Sequence, residues 1–197
     1  MADVSVGEIL REAGAIKKGH FLLSSGLHSD TYIEKFDLLR QPRLMEGVCT
    51  GFVQAFAAAR VDVVVGPTTG GILLAFETAR QMNVMAAYAE REAEGHAGRA
   101  IRRGTVFAPG TRVLVVDDIL TTGGSVRETL AALAPHPVTV VGVSVIMDRS
   151  TQAVDFGVPL VALYKEPVAV YRPEECPLCA AGIPLVKPGS TAKPGPR

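Results

Sequence analysis

The chain has 197 residues, 48% of them hydrophobic, with 20 basic side chains against 20 acidic ones. That is enough apolar material for one packed domain with at most a small appendage, and no apolar run approaches the roughly 18 residues of a membrane span. A net charge of zero gives no broad electrostatic footprint for nucleic acid, so any basic site is local and small.

The opening segment, MADVSVGEILREAG, lacks the basic start and apolar block of a secretory signal. It reads as a helix with a capping box between Ser5 and Glu8. Three cysteines, an odd number, fit a reducing cytoplasm better than a disulfide framework. GHFLLSSGLHSDTYIEKF then gives two short β-type runs broken by SSG and by the pair His28 and Ser29, which predicts a small N-terminal hairpin. Leu44, Val48, Phe52, Ala55, Phe56 and Ala59 follow on one helical face.

A repeating alternation begins at residue 61. VDVVV (61–65) is a predicted strand, followed by GPTTGG and a helix over about 72–82. VMAAYA (84–89) is the next strand, then a charged segment, AEREAEGHAGRAIRRG. RVLVV (112–116) leads into DDILTTGG, and Val126, Leu130 and Leu133 stripe the helix after it. VTVVGVSVIM (138–147) is a further strand, ending at Asp148 and Arg149. Continuous apolar strands separated by helices predict an α/β fold: a mostly parallel, twisted sheet covered on both faces. Ligands bind such sheets at the carboxyl ends of the strands, where GPTTGG, DDILTTGG and DRS all fall.

The adjacent carboxylates Asp117 and Asp118 are the least expected feature, because neighbouring like charges at the end of a buried strand repel and are costly to desolvate. After them, Gly123 and Gly124 allow close backbone approach, and the N–H groups of Thr121, Thr122, Gly123, Gly124 and Ser125 can form a phosphate nest at a helix N-terminus. The carboxylates would repel that phosphate, so they suit vicinal hydroxyls, which donate strong charge-assisted hydrogen bonds. A phosphate beside a diol describes a ribose 5-phosphate. The plainer alternative is a strand-to-helix turn with Asp as a cap. The loop has neither the Gly-Lys-Ser/Thr of a Walker motif nor the G-x-G-x-x-G of a dinucleotide fingerprint.

Strand, acidic pair and Thr/Gly-rich loop together resemble the phosphoribosyl-pyrophosphate signature of the type I phosphoribosyltransferases. FLLSSGLHSDTYIEK resembles the N-terminal segment of the orotate phosphoribosyltransferases, VDVVVGPTTGGILLA their pyrophosphate-loop region, and MDRS their substrate-binding Asp–Arg pair. The similarity runs in order from about residue 19 to residue 149. It implies a phosphoribosyltransferase core over 41–170, an N-terminal helix-and-hairpin hood over 1–40, and a C-terminal extension over 171–197. The last ten residues, PGSTAKPGPR, have the composition of a disordered tail.

The resemblance also implies roles. Asp117 and Asp118 hold the ribose hydroxyls of 5-phosphoribosyl 1-diphosphate, Thr121, Thr122, Gly123, Gly124 and Ser125 cradle its 5-phosphate, and Ile119 and Leu120 belong to the same substrate-binding segment. Thr121 and Arg149 lie next to orotate, and the guanidinium fork of an Arg independently suits a planar carboxylated base. Gly66, Thr68, Thr69, Gly70 and Gly71 offer backbone N–H groups to the leaving pyrophosphate. Mg²⁺ is implied as cofactor, held mainly by the diphosphate donor with no direct protein ligand. The implied activity is the synthesis of orotidine 5′-monophosphate for pyrimidine biosynthesis, by a cytoplasmic homodimer without nucleic-acid or membrane partners.

Some positions depart from the family pattern. Many members carry an Arg-Lys-x-x-Lys-x-His loop. In the corresponding segment here, Arg91 and His96 fall on basic positions, but Glu90 and Glu94 replace an Arg and the Lys usually held catalytic. Ser24 and Gly70 stand where two further lysines are common. Arg91, Arg102 and Arg103 are therefore the candidate catalytic cations, with a solvated charged hairpin as the alternative. ECPLC holds one C-x-x-C, Cys176 and Cys179, while Cys49 sits on a distant helix. Zinc needs about four ligands, so the pair reads as reduced cysteines in a C-terminal turn unless two subunits each donate a pair. Two other functions fit parts of the chain. One is a purine-type phosphoribosyltransferase, against which the FLLSSG segment and Arg149 argue. The other is a non-catalytic regulator of the same fold, favoured by the missing lysines and opposed by the neutral charge.

Overall fold

The computed structural model describes residues 5–23, 25–92, 98–165 and 169–188. Its first helix, α1 (Val6–Glu12), starts at Ser5, whose hydroxyl accepts from the Glu8 N–H while the Glu8 carboxylate accepts from the Ser5 N–H, completing the expected box. The hairpin follows as β1 (Ile16–Leu22) and β2 (His28–Ile33), antiparallel, with Leu22 opposite His28. A short helix, α2 (Lys35–Leu39), leads into α3 (Pro42–Ala55), which buries Val48, Cys49 and Phe52 completely.

The core then alternates. β3 (Val63–Pro67), α4 (Gly70–Met82) and β4 (Met85–Arg91) are followed by a short strand, β5 (Arg99–Ile101), that turns back antiparallel on β4. Next come β6 (Thr111–Leu120), α5 (Gly124–Leu133), β7 (Val138–Asp148) and β8 (Leu160–Tyr164). The sheet order is β5-β4-β3-β6-β7-β8, parallel everywhere except β5. From the central pair β3 and β6 the chain winds outward in opposite directions, so the topological switch point lies between them.

Side-chain alternation divides the core into two layers. Val64, Leu114, Val116 and Ile146 face α1, α3 and α4. Val63, Val65, Val113, Val115 and Val143 face the other way, against Val126 and Leu133 of α5. Apolar residues on both faces explain the uninterrupted runs of Val and Leu in the sequence.

Three boundaries differ from the sequence reading. The 112–116 strand extends through the acidic pair to Leu120, because β7 continues to pair with it as far as Leu120 opposite Asp148. The helix expected over 72–82 starts two residues earlier, at Gly70. The charged segment after β4 contributes a strand of its own, with Arg91 opposite Arg99, while residues 93–97 lie outside the described residues. Beyond the core, β9 (Val170–Tyr171) joins β2, so the small sheet takes its third strand from the C-terminal segment. A 3-10 turn (Pro173–Glu175) and the short helix α6 (Pro177–Ala180) follow. Of the tail expected to be disordered, residues 189–197 lie outside the described residues.

Candidate active site

The turn after β3 and the turn after β6 lie side by side at the switch point. Each leads into a helix whose first residues receive no side-chain cap. Such helix starts leave backbone N–H groups free to bind an anion. The first turn is folded tightly on itself: a Cβ on Gly66 would lie 2.0 Å from the Gly71 carbonyl oxygen, so only glycine fits. The second turns at Gly123 with φ +80°, a left-handed conformation that glycine adopts without strain. Thr121, Thr122 and Gly124 are exposed on it, and Ser125 is half-buried.

Asp117 and Asp118 lie near the end of β6, followed by Ile119 and Leu120, and both are buried. The neighbours of each explain how two adjacent carboxylates are tolerated. Asp117 lies near the start of α5, where Ser125 favours its charged form. Its Oδ1 also accepts from the Asp118 N–H at 2.8 Å. Asp118 turns toward the N-terminal elements, where Lys35 Nζ lies 2.8 Å from its Oδ2. Burial, reinforced by the adjacent Asp118 charge, pushes the Asp117 carboxyl up to about 6, with Lys35 and Ser125 acting in the opposite direction. The Ile119 N–H donates to Asp118 Oδ1 at 2.7 Å, so both carboxylates are held in place by donors, at some electrostatic cost.

A cleft of about 490 Å³ opens beside these turns. Thr121, Thr122 and Arg149 line it together with Tyr32 and Leu23 from the hood and Pro188 from the C-terminal segment. Arg149 follows directly on β7 and is anchored by its N–H donating to the Leu120 carbonyl at 2.8 Å. Half-burial draws its guanidinium below the ordinary arginine range, partly opposed by the nearby Tyr32. The preceding Asp148 is engaged elsewhere: it accepts from the N–H and hydroxyl of Ser150 and pairs with Lys165 Nζ at 3.1 Å. Of the Asp–Arg pair, only the Arg faces the cleft.

Two cations of this site were missed in the sequence. Lys35 is one. The other is Arg99, only 7% exposed, whose guanidinium spans both turns. It donates to Thr68 Oγ1 at 2.9 Å and to Ser125 Oγ at 3.3 Å, with Glu128 3.2 Å from its Nε. By contrast, Arg91 at the end of β4 and Arg102 and Arg103 just after β5 are exposed, and Arg103 pairs with Glu90 at 3.2 Å.

Comparison with known proteins fits this geometry. A phosphoribosyl transferase domain family matches residues 37–156, the span holding both turns, the acidic pair and Arg149. The chain is 47% identical to the orotate phosphoribosyltransferase of Caldanaerobacter subterraneus, over 96% of this chain and 98% of that protein. The chain belongs to the orotate phosphoribosyltransferase family. Another orotate phosphoribosyltransferase, from Caldicellulosiruptor bescii, is 44% identical over 94% of this chain and 96% of its own length. The crystal structure of orotate phosphoribosyltransferase from Aeropyrum pernix superposes with a TM-score of 0.70 at 28% identity, covering 81% of this chain and 93% of that one.

Within an orotate phosphoribosyltransferase, the replaced lysines take on a structural reading. A Cβ on Gly70 would lie 2.1 Å from Asp118 Oδ2, the oxygen that Lys35 engages. Lys35 therefore brings positive charge, from α2, to the place where Gly70 has no room for a side chain. Ser24, Glu94 and His96 lie outside the described residues.

The raised Asp117 carboxyl has a thermodynamic consequence. Because its folded value of about 6 exceeds the unfolded one near 3.9, the unfolded chain binds fewer protons between those values. Stability contributed by this group therefore falls as pH rises from about 4 to about 6 and stays lower above that. Asp117→Asn is expected to be more stable than the parent by about 1–3 kcal/mol at pH 8 and indistinguishable from it below pH 4. Denaturant midpoints at the two pH values check this, and equal midpoints at pH 8 would contradict the assignment.

Proposed function

We propose that the cleft and the two turns carry out magnesium-dependent transfer of ribose 5-phosphate from 5-phosphoribosyl 1-diphosphate to orotate, the orotidine 5′-monophosphate-forming step of pyrimidine biosynthesis. The observation that carries the reading is the buried acidic pair, set between two uncapped helix starts and beside a cleft lined by Arg149. Asp117 and Asp118 accept hydrogen bonds from the ribose hydroxyls. The N–H groups of Thr121, Thr122, Gly123, Gly124 and Ser125 take the 5-phosphate, and the turn from Gly66 through Thr68, Thr69, Gly70 and Gly71 takes the diphosphate.

Arg99, held between Thr68 and Ser125, keeps the two anion-binding turns in register. Arg149 pairs with the orotate carboxylate. As the bond from ribose C1 to the diphosphate oxygen breaks and the bond from C1 to the pyrimidine nitrogen forms, positive charge develops on the sugar, which the two carboxylates stabilise. No covalent nucleophile is required. Asp118 is already paired with Lys35 at 2.8 Å, which fits a magnesium carried on the diphosphate. Bound there, the ion supplies charge neutralisation for the departing pyrophosphate.

Two chains would form the working enzyme. Phe76 is 66% exposed and Met85 65% exposed, with Leu73 nearby on α4 also exposed, an apolar surface suited to a second copy. The β4–β5 hairpin, with Arg91, Arg102 and Arg103, then serves the neighbouring site.

Incubation with magnesium, donor and orotate should consume orotate absorbance, whereas equal use of uracil or a purine would overturn the reading. Arg149→Ala should raise the orotate Michaelis constant roughly 10- to 150-fold, and that of the donor far less, since about 1.5–3 kcal/mol of charged hydrogen bonding belongs to one substrate.

For the hairpin, Arg103→Ala, and comparably Arg91→Ala or Arg102→Ala, should lower turnover more than donor affinity. Mixing inactive Asp118→Asn chains with an inactive hairpin variant should restore activity, because one hybrid site receives both intact halves. No recovery in verified mixed dimers would show that the hairpin serves its own subunit.

A further inference from the structure

Away from the cleft's chemistry, a second cluster joins the two ends of the chain. His20 in β1 and His28 at the start of β2 are 2% and 5% exposed, and their imidazoles meet with His20 Nε2 2.9 Å from His28 Nδ1. Cys176 and Cys179, flanking the first turn of α6, close over them. Cys176 Sγ lies 3.5 Å from His20 Nε2, and Cys179 Sγ lies 3.7 Å from His20 Nε2 and 3.3 Å from His28 Nδ1. All four ligand atoms fall within 4.8 Å of one another. The sequence reading counted cysteines alone and found too few. It gave the histidines no weight, because 151 residues separate His28 from Cys179 and only the fold brings them together.

We propose that these four side chains form a tetrahedral zinc site. With zinc about 2.0–2.1 Å from nitrogen and about 2.3 Å from sulfur, neighbouring ligand atoms of a tetrahedron stand roughly 3.3–3.8 Å apart. The three sulfur-to-nitrogen distances already lie in that range. The nitrogen pair is closer, at hydrogen-bond distance, and zinc uptake replaces a shared proton and parts the rings by a few tenths of an ångström. Two thiolates with two imidazoles is a donor set that selects zinc over magnesium or calcium.

A further contact is of the kind that accompanies metal-binding histidines. His20 Nδ1 lies 2.7 Å from the Ile183 carbonyl, which fixes the ring so that Nδ1–H donates there and Nε2 presents its lone pair to the cluster. The same ring thus ties β1 to the chain just beyond α6. Cys179 is exposed, which gives the metal a way in. The loop after α6 continues onto the hood: the Val186 N–H donates to the His20 carbonyl at 2.8 Å, and the Leu22 N–H to the Val186 carbonyl at 2.9 Å. Two residues later Pro188 reaches the cleft wall. The site therefore works as a clasp. It fastens the C-terminal segment to the hairpin of the hood and sets one wall of the cleft without taking part in its chemistry.

The test is metal analysis of untagged protein purified under reducing conditions, followed by cobalt substitution. One zinc per chain is expected, and the cobalt form should show thiolate-to-metal charge transfer with the intense visible bands of a tetrahedral ion. Cys179→Ser should lose most of the metal, and Cys179→His should regain it. Removing zinc from the parent with a chelator should lower the thermal midpoint by roughly 5 °C or more, restored by zinc and not by magnesium. Should the serine variant fail to fold, the parent's stoichiometry and its cobalt spectrum decide alone. Protein free of metal with both thiols reduced, a disulfide between Cys176 and Cys179, or stoichiometric iron in place of zinc would each overturn the proposal.

Discussion

Two carboxylates side by side at the end of a buried strand set the terms for everything around them. Their repulsion is not removed by distance, since they are consecutive residues. It is managed by direction and by partners. Asp118 is neutralised at 2.8 Å by Lys35, which the hood must supply. Asp117 has hydrogen-bond donors and a weaker pull from Lys35, and burial still leaves its carboxyl up at about 6. The fold thus retains one poorly compensated acid at the switch point, and stability is given up there, a pattern that marks candidate functional groups. That constraint accounts for the closeness of hood and core: without α2 in place, Asp118 would be buried without its cation.

The surroundings are arranged in opposite charge. Two helix starts without side-chain caps face the same region, and the Arg99 guanidinium holds Thr68 of one turn and Ser125 of the other. Under the proposed function, uncapped helix starts on either side of an acidic centre suit a ligand with phosphate at one end, diphosphate at the other and hydroxyls between. Gly66 and Gly70 belong to the same design, because the β3 turn comes so close to itself and to Asp118 that no Cβ fits. A glycine at position 70 is then coherent with a lysine arriving from α2.

Much of this was legible in the sequence. The runs at Val63, Val64 and Val65 and at Val113, Leu114, Val115 and Val116 announced strands buried on both faces, and the core places them so. The acidic pair, the glycine turns and Arg149 stood out because each is costly or conformationally special. Lys35 and Arg99 did not, since a surface lysine and a buried one look alike until tertiary contacts assign a partner. β8 carried no usable pattern: every residue of LVALY is half-buried, so no alternation marks it. The boundary at 117–120 was misplaced because pairing with β7 outweighs the low strand preference of aspartate. The Cys/His cluster was hidden by chain separation, which no local spacing rule crosses.

The most direct test of the central claim is a carboxyl-carbon NMR titration of Asp117, alone and with 5-phosphoribosyl 1-diphosphate bound. The free protein should titrate near 6. Bound donor should move the midpoint well below that, because ribose hydroxyls donating to the carboxylate favour its charged form. A midpoint near 4 in the free protein, or one that donor leaves unmoved, would contradict the account.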